Sequence, residues 1–310
     1  MEKILVTPRS YGKNNPALFE RLEKAGYEVV RNQTGGIMSK EQMIQAVDDI
    51  VGVILGVDPF DAQVIAAAPR LRAIARYGVG LDNVDLDAAK ARGIRVSRTV
   101  GANSEAVADY ALALMLSLAR KVVPIDQKCR QGDWGKISTI DVSHKTVGIF
   151  GLGAIGRHVA ARCQGFSMKV LAYDVVWDED YAAAHGIERA EPERIFREAD
   201  FISLHLPLLP ETRNFVGAQQ LALMKKTAIL VNTARGGLID EDALLEALRE
   251  RRIYGAGLDA FAHEPPESPD WFALDNVVLG SHCAASTAAA TENMGVMATE
   301  NLLADLARKD

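Results

Sequence analysis

The sequence predicts an α/β protein made of two doubly wound parallel sheets, and three observations carry that expectation. Short runs rich in Val and Ile recur along the 310 residues. Most are separated by segments of helical length in which Leu and Ala return at three- and four-residue spacing. A glycine-rich turn opening a new strand–helix unit falls near the middle of the chain, so several such units precede it. Strands alternating with helices imply parallel sheets covered on both faces, and the length suits two domains.

Taken in order, "KILVT" (3–7) reads as the first strand and "NPALFERLEKAG" (15–26) as the helix after it. "VGVIL" (51–55), "RAIAR" (72–76) and "GIRVS" (93–97) supply further strands of the first set. In "NSEAVADYALALMLSLARKV", Val107, Tyr110, Ala111, Leu114, Met115 and Leu118 fall at helical spacing, with Asn103 or Ser104 available as N-cap. That helix is apolar over more than one face and is predicted to be buried between layers or domains. The second set of strands is "TVGIF" (146–150), "KVLAY" (169–173), "FISLH" (201–205), "AILVN" (228–232) and "NVVLG" (276–280). After "AILVN" comes "EDALLEALRERR", with Asp240, Glu241 and Asp242 in its first turn and Arg249, Arg251 and Arg252 near its last. Both groups complement the helix dipole, and Leu244, Leu245 and Leu248 form the stripe to be buried.

Nearly half of the residues are hydrophobic and a quarter charged, and the formal charge of −6 is spread without a basic run. Nucleic acid is therefore not an expected partner. The opening residues have no secretory pattern, and the longest apolar stretch, around "YALALMLSLA", is far short of the roughly 20 residues of a bilayer helix, so no membrane partner is expected either. Three cysteines, Cys129, Cys163 and Cys283, lack metal-ligand spacing and are odd in number, which argues against both a metal site and a disulfide framework. A cytoplasmic setting is the expectation.

The central turn, "TVGIFGLGAIGRHVA", sets Gly151, Gly153 and Gly156 in G-x-G-x-x-G spacing, with Ala154 and Ile155 between the last two. Alone, that spacing is common. Here a strand precedes it and a helix follows, so the glycines stand where backbone must approach a pyrophosphate and helix N–H groups face it. Asp174 ends the next strand 18 positions after Gly156. A carboxylate there accepts from the adenosine ribose hydroxyls and repels a 2′-phosphate, so the expected cofactor is NAD in a Rossmann domain.

Arg235 lies in the loop after "AILVN", at the strand end where open parallel sheets bind ligands. Its planar fork matches a carboxylate or the paired oxygens of a 2-oxo acid. Hydride transfer to a carbonyl also needs a proton donor, and "GLDAFAHEPP" and "LGSHCAAST" offer Glu264 and His282. An imidazole oriented by a carboxylate is a suitable acid for ketone reduction.

Together, "NTARGGLIDEDAL", "GLDAFAHEP", "GSHCAAST", the "GLGAIG" turn and "ARYGVGLDNVDLDAAKARGIRV" resemble the D-isomer-specific 2-hydroxyacid dehydrogenases, most closely the phosphoglycerate dehydrogenase-like branch. The resemblance covers nearly the whole chain. It implies that Arg235 binds the substrate's carboxylate and carbonyl oxygen, His282 exchanges the proton with the C2 oxygen, and Glu264 supports the charged imidazole. It assigns Asp259 to the nicotinamide carboxamide, Asn103 and Val107 to the cofactor side of the cleft, and His205 and Thr233 to loops lining the cofactor. The backbone of Val79 and Gly80, in "YGVG", is assigned to the substrate carboxylate, and Arg76 is a candidate for a phosphate or second acidic group. The implied architecture is a smaller flavodoxin-like substrate domain (1–100 plus 287–310) and a Rossmann domain (101–286) that associates into a homodimer. The implied activity is NAD-dependent interconversion of a small 2-oxo acid and its D-2-hydroxy acid, with 3-phosphoglycerate, hydroxypyruvate and glyoxylate chemistry all open. A non-enzymatic NAD-binding regulator is the alternative of a different class. One departure is local: Ser281 and Cys283 flank His282, where the family usually has Pro before it and often an apolar residue after.

Overall fold

The computed structural model describes residues 1–308, so the last two residues of the expected 287–310 segment lie outside the described residues. The chain divides into two compact units, Met1–Asn103 with Ser286–Asp310, and Ser104–Ala285.

The first unit alternates strand and helix: β1 (Glu2–Val6), α1 (Ala17–Lys24), β2 (Tyr27–Arg31), α2 (Lys40–Ala46), β3 (Ile50–Leu55), α3 (Ala62–Ala66), β4 (Ala73–Arg76), α4 (Leu86–Ala91) and β5 (Arg95–Arg98). Its sheet is wholly parallel in the order β2-β1-β3-β4-β5, the doubly wound flavodoxin-like arrangement. Central β3 is a continuous apolar run because every residue in it is buried, as helices covering both faces require. Edge strand β2, "YEVVR", buries no residue fully, and for that reason its apolar signal is weak.

In the second unit α5 (Ser104–Ala119) and α6 (Val122–Arg130) lead into β6 (Thr146–Phe150), α7 (Ala154–Gly165), β7 (Lys169–Tyr173), α8 (Glu179–Ala184) and β8 (Glu188–Arg189). Then come α9 (Pro192–Glu198), β9 (Phe201–Leu204), α10 (Ala218–Leu223), β10 (Ile229–Asn232), α11 (Glu241–Arg249), β11 (Gly255–Leu258), α12 (Asp270–Ala273) and β12 (Val277–Leu279). Seven parallel strands run β12-β11-β10-β9-β6-β7-β8, so the order reverses at β6, beside the glycine turn. One core cluster holds Phe150, Phe196 and Trp271; another holds Leu114, Met115 and Leu118 of α5. Helix α5 packs on α7, β10 and β11 within this unit, which accounts for apolar residues on more than one of its faces. Helix α11 ends at Arg249, and Arg251, with φ of +53°, turns the chain out of it, so Arg251 and Arg252 follow the helix instead of completing its last turn.

The chain closes with α13 (Ala288–Ala307), capped by the Thr287 hydroxyl accepting from the Ala290 N–H, and this helix packs on β3, β4 and β5 of the first unit. Gly52 on β3 makes room for Leu302 and Leu306: a Cβ there would stand 3.1 Å from each side chain.

Candidate active site

The glycine turn follows from three glycines with three separate reasons. Gly151 adopts φ of +95° and has no room for a side chain, since a Cβ would lie 2.5 Å from the His205 carbonyl oxygen. Gly156, in the first turn of α7, presses on the Gly151 carbonyl, where a Cβ would come within 1.9 Å. Gly153, the N-cap of α7, faces open space. A tight turn is thus held from within while its middle residue and the helix N–H groups stay available to an anion. Ala154 and Ile155 begin the helix.

Asp174, at the end of β7, accepts hydrogen bonds from Leu152 N–H at 2.6 Å and Val176 N–H at 3.0 Å. The carboxylate is thereby tied to the glycine turn it serves. At the ends of β9 and β10, His205 Nδ1 and Thr233 Oγ1 are buried without a hydrogen-bond partner. Such atoms cost about 1–3 kcal/mol each unless a ligand completes them. His205 Nε2 is 2.9 Å from the Ser203 hydroxyl, and burial pushes the ring's pKa down to about 4, which keeps it neutral. The donors, the cradle and the carboxylate fit a dinucleotide.

Arg235 leaves β10 through a loop fastened by Asn232. This fully buried side chain donates to the Arg235 carbonyl at 2.7 Å and accepts from Ala234 N–H at 3.0 Å. Gly236 then lies flat against the loop after β11, where a Cβ would come within 1.9 Å of the Phe261 carbonyl carbon. The two loops therefore meet backbone to backbone, bringing Arg235 toward Glu264. Glu264 accepts from Phe261 N–H at 3.0 Å, and His282 Nδ1 lies 3.0 and 2.9 Å from its two oxygens. Burial pushes the Glu264 carboxyl up, but the His282 hydrogen bond, the Phe261 N–H and the charges of His282 and Arg235 outweigh it and hold the group below its ordinary range. With Nδ1 on the carboxylate, Nε2 is the nitrogen left to exchange a proton.

His282 sits at φ of +55°, in the left-handed region. Asp259, 1% exposed, explains it: Oδ1 accepts from Cys283 N–H at 2.9 Å and Oδ2 from Ala284 N–H at 2.8 Å. The Cys283 thiol also lies 3.5 Å from Oδ1. The family resemblance assigns Asp259 to the nicotinamide carboxamide and gives no hint of this clamp. The signal was a buried-strand carboxylate aligned with two amides that follow a distant histidine, and only the pairing of β11 with β12 brings them together.

In the first unit, Val79 and Gly80 occupy the loop after β4, and Gly78 precedes them at φ of +144°. Arg76, the candidate for a phosphate or second acidic group, is braced by backbone. It is 7% exposed, its Nε donates to the Gly80 carbonyl at 3.0 Å, and one terminal nitrogen donates to the carbonyls of Leu55 at 3.2 Å and Tyr77 at 2.5 Å. These hydrogen bonds tie the "YGVG" loop to the strands beside it. Asn103 keeps a buried Oδ1 without a partner, and Val107 is buried in α5. Among the described residues no group of three His, Cys, Asp or Glu side chains is placed to hold a metal, and no helix is long and apolar enough to cross a membrane.

Comparison with known proteins places this geometry. Residues 112–284 match the family described as D-isomer specific 2-hydroxyacid dehydrogenase, NAD binding domain. The chain is 44% identical to a glyoxylate reductase of Korarchaeum cryptofilum, over 86% of this chain and 82% of that protein. It is 38% identical to the D-3-phosphoglycerate dehydrogenase of Methanocaldococcus jannaschii, over 97% of this chain and 57% of that one. The crystal structure of the TT0316 protein from Thermus thermophilus superposes with a TM-score of 0.89 at 39% identity, covering 98% of this chain and 96% of that one. This chain belongs to the D-isomer specific 2-hydroxyacid dehydrogenases and is an NAD-dependent enzyme of that family.

Proposed function

We propose that the enzyme reduces a small unphosphorylated 2-oxo acid of the glyoxylate and hydroxypyruvate type, with Arg235, Glu264 and His282 as its catalytic set. Bound NADH supplies the hydride that reaches C2. Arg235 clamps the carboxylate and the carbonyl oxygen, and holds the negative charge that grows on that oxygen. His282 Nε2 donates the proton that turns this oxygen into a hydroxyl. Glu264 fixes the ring through Nδ1 and stabilises it while charged. The products are the 2-hydroxy acid and the oxidised cofactor. The Gly151–Gly156 turn and Asp174 are proposed to hold pyrophosphate and ribose, His205, Thr233 and Asp259 the nicotinamide half, with Asn103 and Val107 as further cofactor contacts. The backbone of Val79 and Gly80 is proposed to take the substrate carboxylate.

The observation that supports this substrate class is Arg76. A guanidinium already donating to three backbone carbonyls is not available as a fork for a substrate phosphate. Initial rates of NADH oxidation with glyoxylate, hydroxypyruvate, pyruvate and 3-phosphohydroxypyruvate test the reading. Glyoxylate or hydroxypyruvate is expected to exceed the phosphorylated acid in kcat/KM by at least tenfold, and the opposite order would overturn the assignment. Arg235→Ala is expected to raise KM and lower kcat, whereas His282→Ala lowers mainly kcat.

A homodimer is part of the same proposal. Helix α6 buries none of its side chains, Val122 and Val123 are exposed on it, and Trp134 after it is 79% exposed. An apolar surface of that kind suits a second copy. Light scattering is expected to give twice the chain mass of 33.6 kDa, and a monomer at micromolar concentration would refute it.

A further inference from the structure

We propose that the first unit carries a second anion site, separate from the substrate loop, that takes a small phosphate dianion. The site is a cavity of about 290 Å³ at the carboxyl ends of β1 and β2, lined by Arg9, Lys13 and Arg31 together with Gly12, Phe19 and Asn32. Ligands of doubly wound sheets bind outside the carboxyl ends of the strands, and this is such an edge. The substrate loop follows β4, two strands from β1 in the sheet order. At about 4.8 Å per strand that is about 10 Å away.

Three features make this more than a basic patch. First, no carboxylate lines the cavity, and among the described residues none of the three cations forms an ion pair. In a chain of net charge −6, where most arginines find a carboxylate, three exposed cations without an ion-pair partner along one cavity raise the local potential for an anion. The carboxylate behind the wall is Asp58, and it is committed: it accepts from the Thr7 hydroxyl and, at 2.8 Å, from Met38 N–H.

Second, two of the three cations are held in place. The Arg31 guanidinium lies 3.5 Å from the centre of the Phe19 ring, whose edge packs against Tyr11 at 5.1 Å between centroids. Stacking fixes the guanidinium plane and leaves its N–H edge free to donate. Arg9 is tethered through one nitrogen, which donates to the Gly35 carbonyl at 3.0 Å. Third, the loop backbone is shaped around the cavity. Gly12 has φ of +68° and a Cβ there would fall 2.4 Å from the Phe19 ring, and among the described residues its N–H donates to no acceptor. Gly12 thus adds one unpartnered backbone N–H to the residues that line the cavity. A monocarboxylate would leave two of the three cations unmatched, whereas a tetrahedral dianion offers oxygens to all of them.

The test uses the full chain saturated with NADH. Calorimetric titration at constant ionic strength compares inorganic phosphate with glycerol 3-phosphate, for the wild type and for the Arg9→Gln, Arg31→Gln double variant. Saturable binding is expected, weakened at least tenfold in the double variant, with NADH affinity and thermal midpoint unchanged. Tighter binding of glycerol 3-phosphate identifies a phosphate ester as the occupant; equal affinity identifies phosphate itself. Should Arg31→Gln disturb the Phe19 packing and lower the midpoint, Lys13→Met, at an exposed position, carries the same comparison. Absence of saturable binding, or equal binding by the variants and the wild type, overturns the site.

Discussion

Glu264 is pulled in two directions, and the resultant sets a pH dependence. Burial favours its protonated form, while the His282 hydrogen bond, the Phe261 N–H and the nearby positive charges favour the carboxylate, and the net effect lies below the ordinary value of 4.5. A depressed folded-state value means that the pair adds stability above the unfolded carboxyl's titration range and loses it as pH falls through the folded value. Glu264→Gln is therefore expected to melt below the wild type at pH 6 and to converge with it as pH drops under about 4. Melting curves from pH 3.5 to 7 measure this, and a gap that stays constant across the range would contradict it. Gly236 makes a second prediction at this scale. Its Cβ would overlap the backbone between Phe261 and Ala262, so Gly236→Ala must push apart the loops carrying Arg235 and Glu264. Overpacking of this kind costs about 1–3 kcal/mol. The variant is expected to lose both thermal stability and turnover, and wild-type kcat would show that the position of Arg235 does not depend on this contact.

At the scale of elements, the strand–turn–helix of β6 and α7 separates folding from binding. Gly156 has no space for a methyl group, and Gly153 faces open space. Gly156→Ala is expected to lower the melting midpoint and NADH affinity together, whereas Gly153→Ala leaves stability within about 0.5 kcal/mol of wild type while weakening NADH at least tenfold. Fluorescence titration of NADH with thermal melting reads both; equal loss of stability in the two variants would remove the distinction. This unit was legible in the sequence because glycine spacing, flanking elements and Asp174 all report one constraint. Strand β11 was not. "GAGL" has no β-branched or aromatic residue and so carries no strand signal, yet its glycines are why it can be a central strand. A Cβ on Gly255 would meet the Asn276 carbonyl at 2.6 Å, and one on Gly257 would meet Leu114 of α5 at 2.8 Å. Close packing of backbone on backbone is invisible to residue-type propensity. Edge strand β8, two residues long, left no signal at all. Arg235, Glu264 and His282 were recognisable as a set through the motifs that carry them, whereas the Asp259 clamp and the Leu55 brace of Arg76 use backbone groups 24 and 21 positions away that no residue type announces.

On the scale of the whole molecule, two units with separate cores imply that ligand binding need not stabilise the chain uniformly. The glycine turn, Asp174, His205, Thr233 and Asp259 all belong to the unit Ser104–Ala285. A ligand that binds only the folded form adds about 2.7 kcal/mol at 100 times its Kd. In a unit of this size each kcal/mol moves the midpoint by about 2–4 °C, so saturating NADH is expected to raise the transition of that unit by about 5–10 °C. Calorimetry with and without NADH resolves the units if their transitions are distinct. Movement of the second unit's transition alone would place the cofactor's binding energy within it. An equal shift of both would mean that the units unfold as one cooperative body, and a shift confined to the first unit would contradict the proposed cofactor residues, all of which except Asn103 lie in the second. Phosphate added after NADH provides the complementary reading, because the cavity of Arg9, Lys13 and Arg31 belongs to the first unit and should raise that unit's transition in turn.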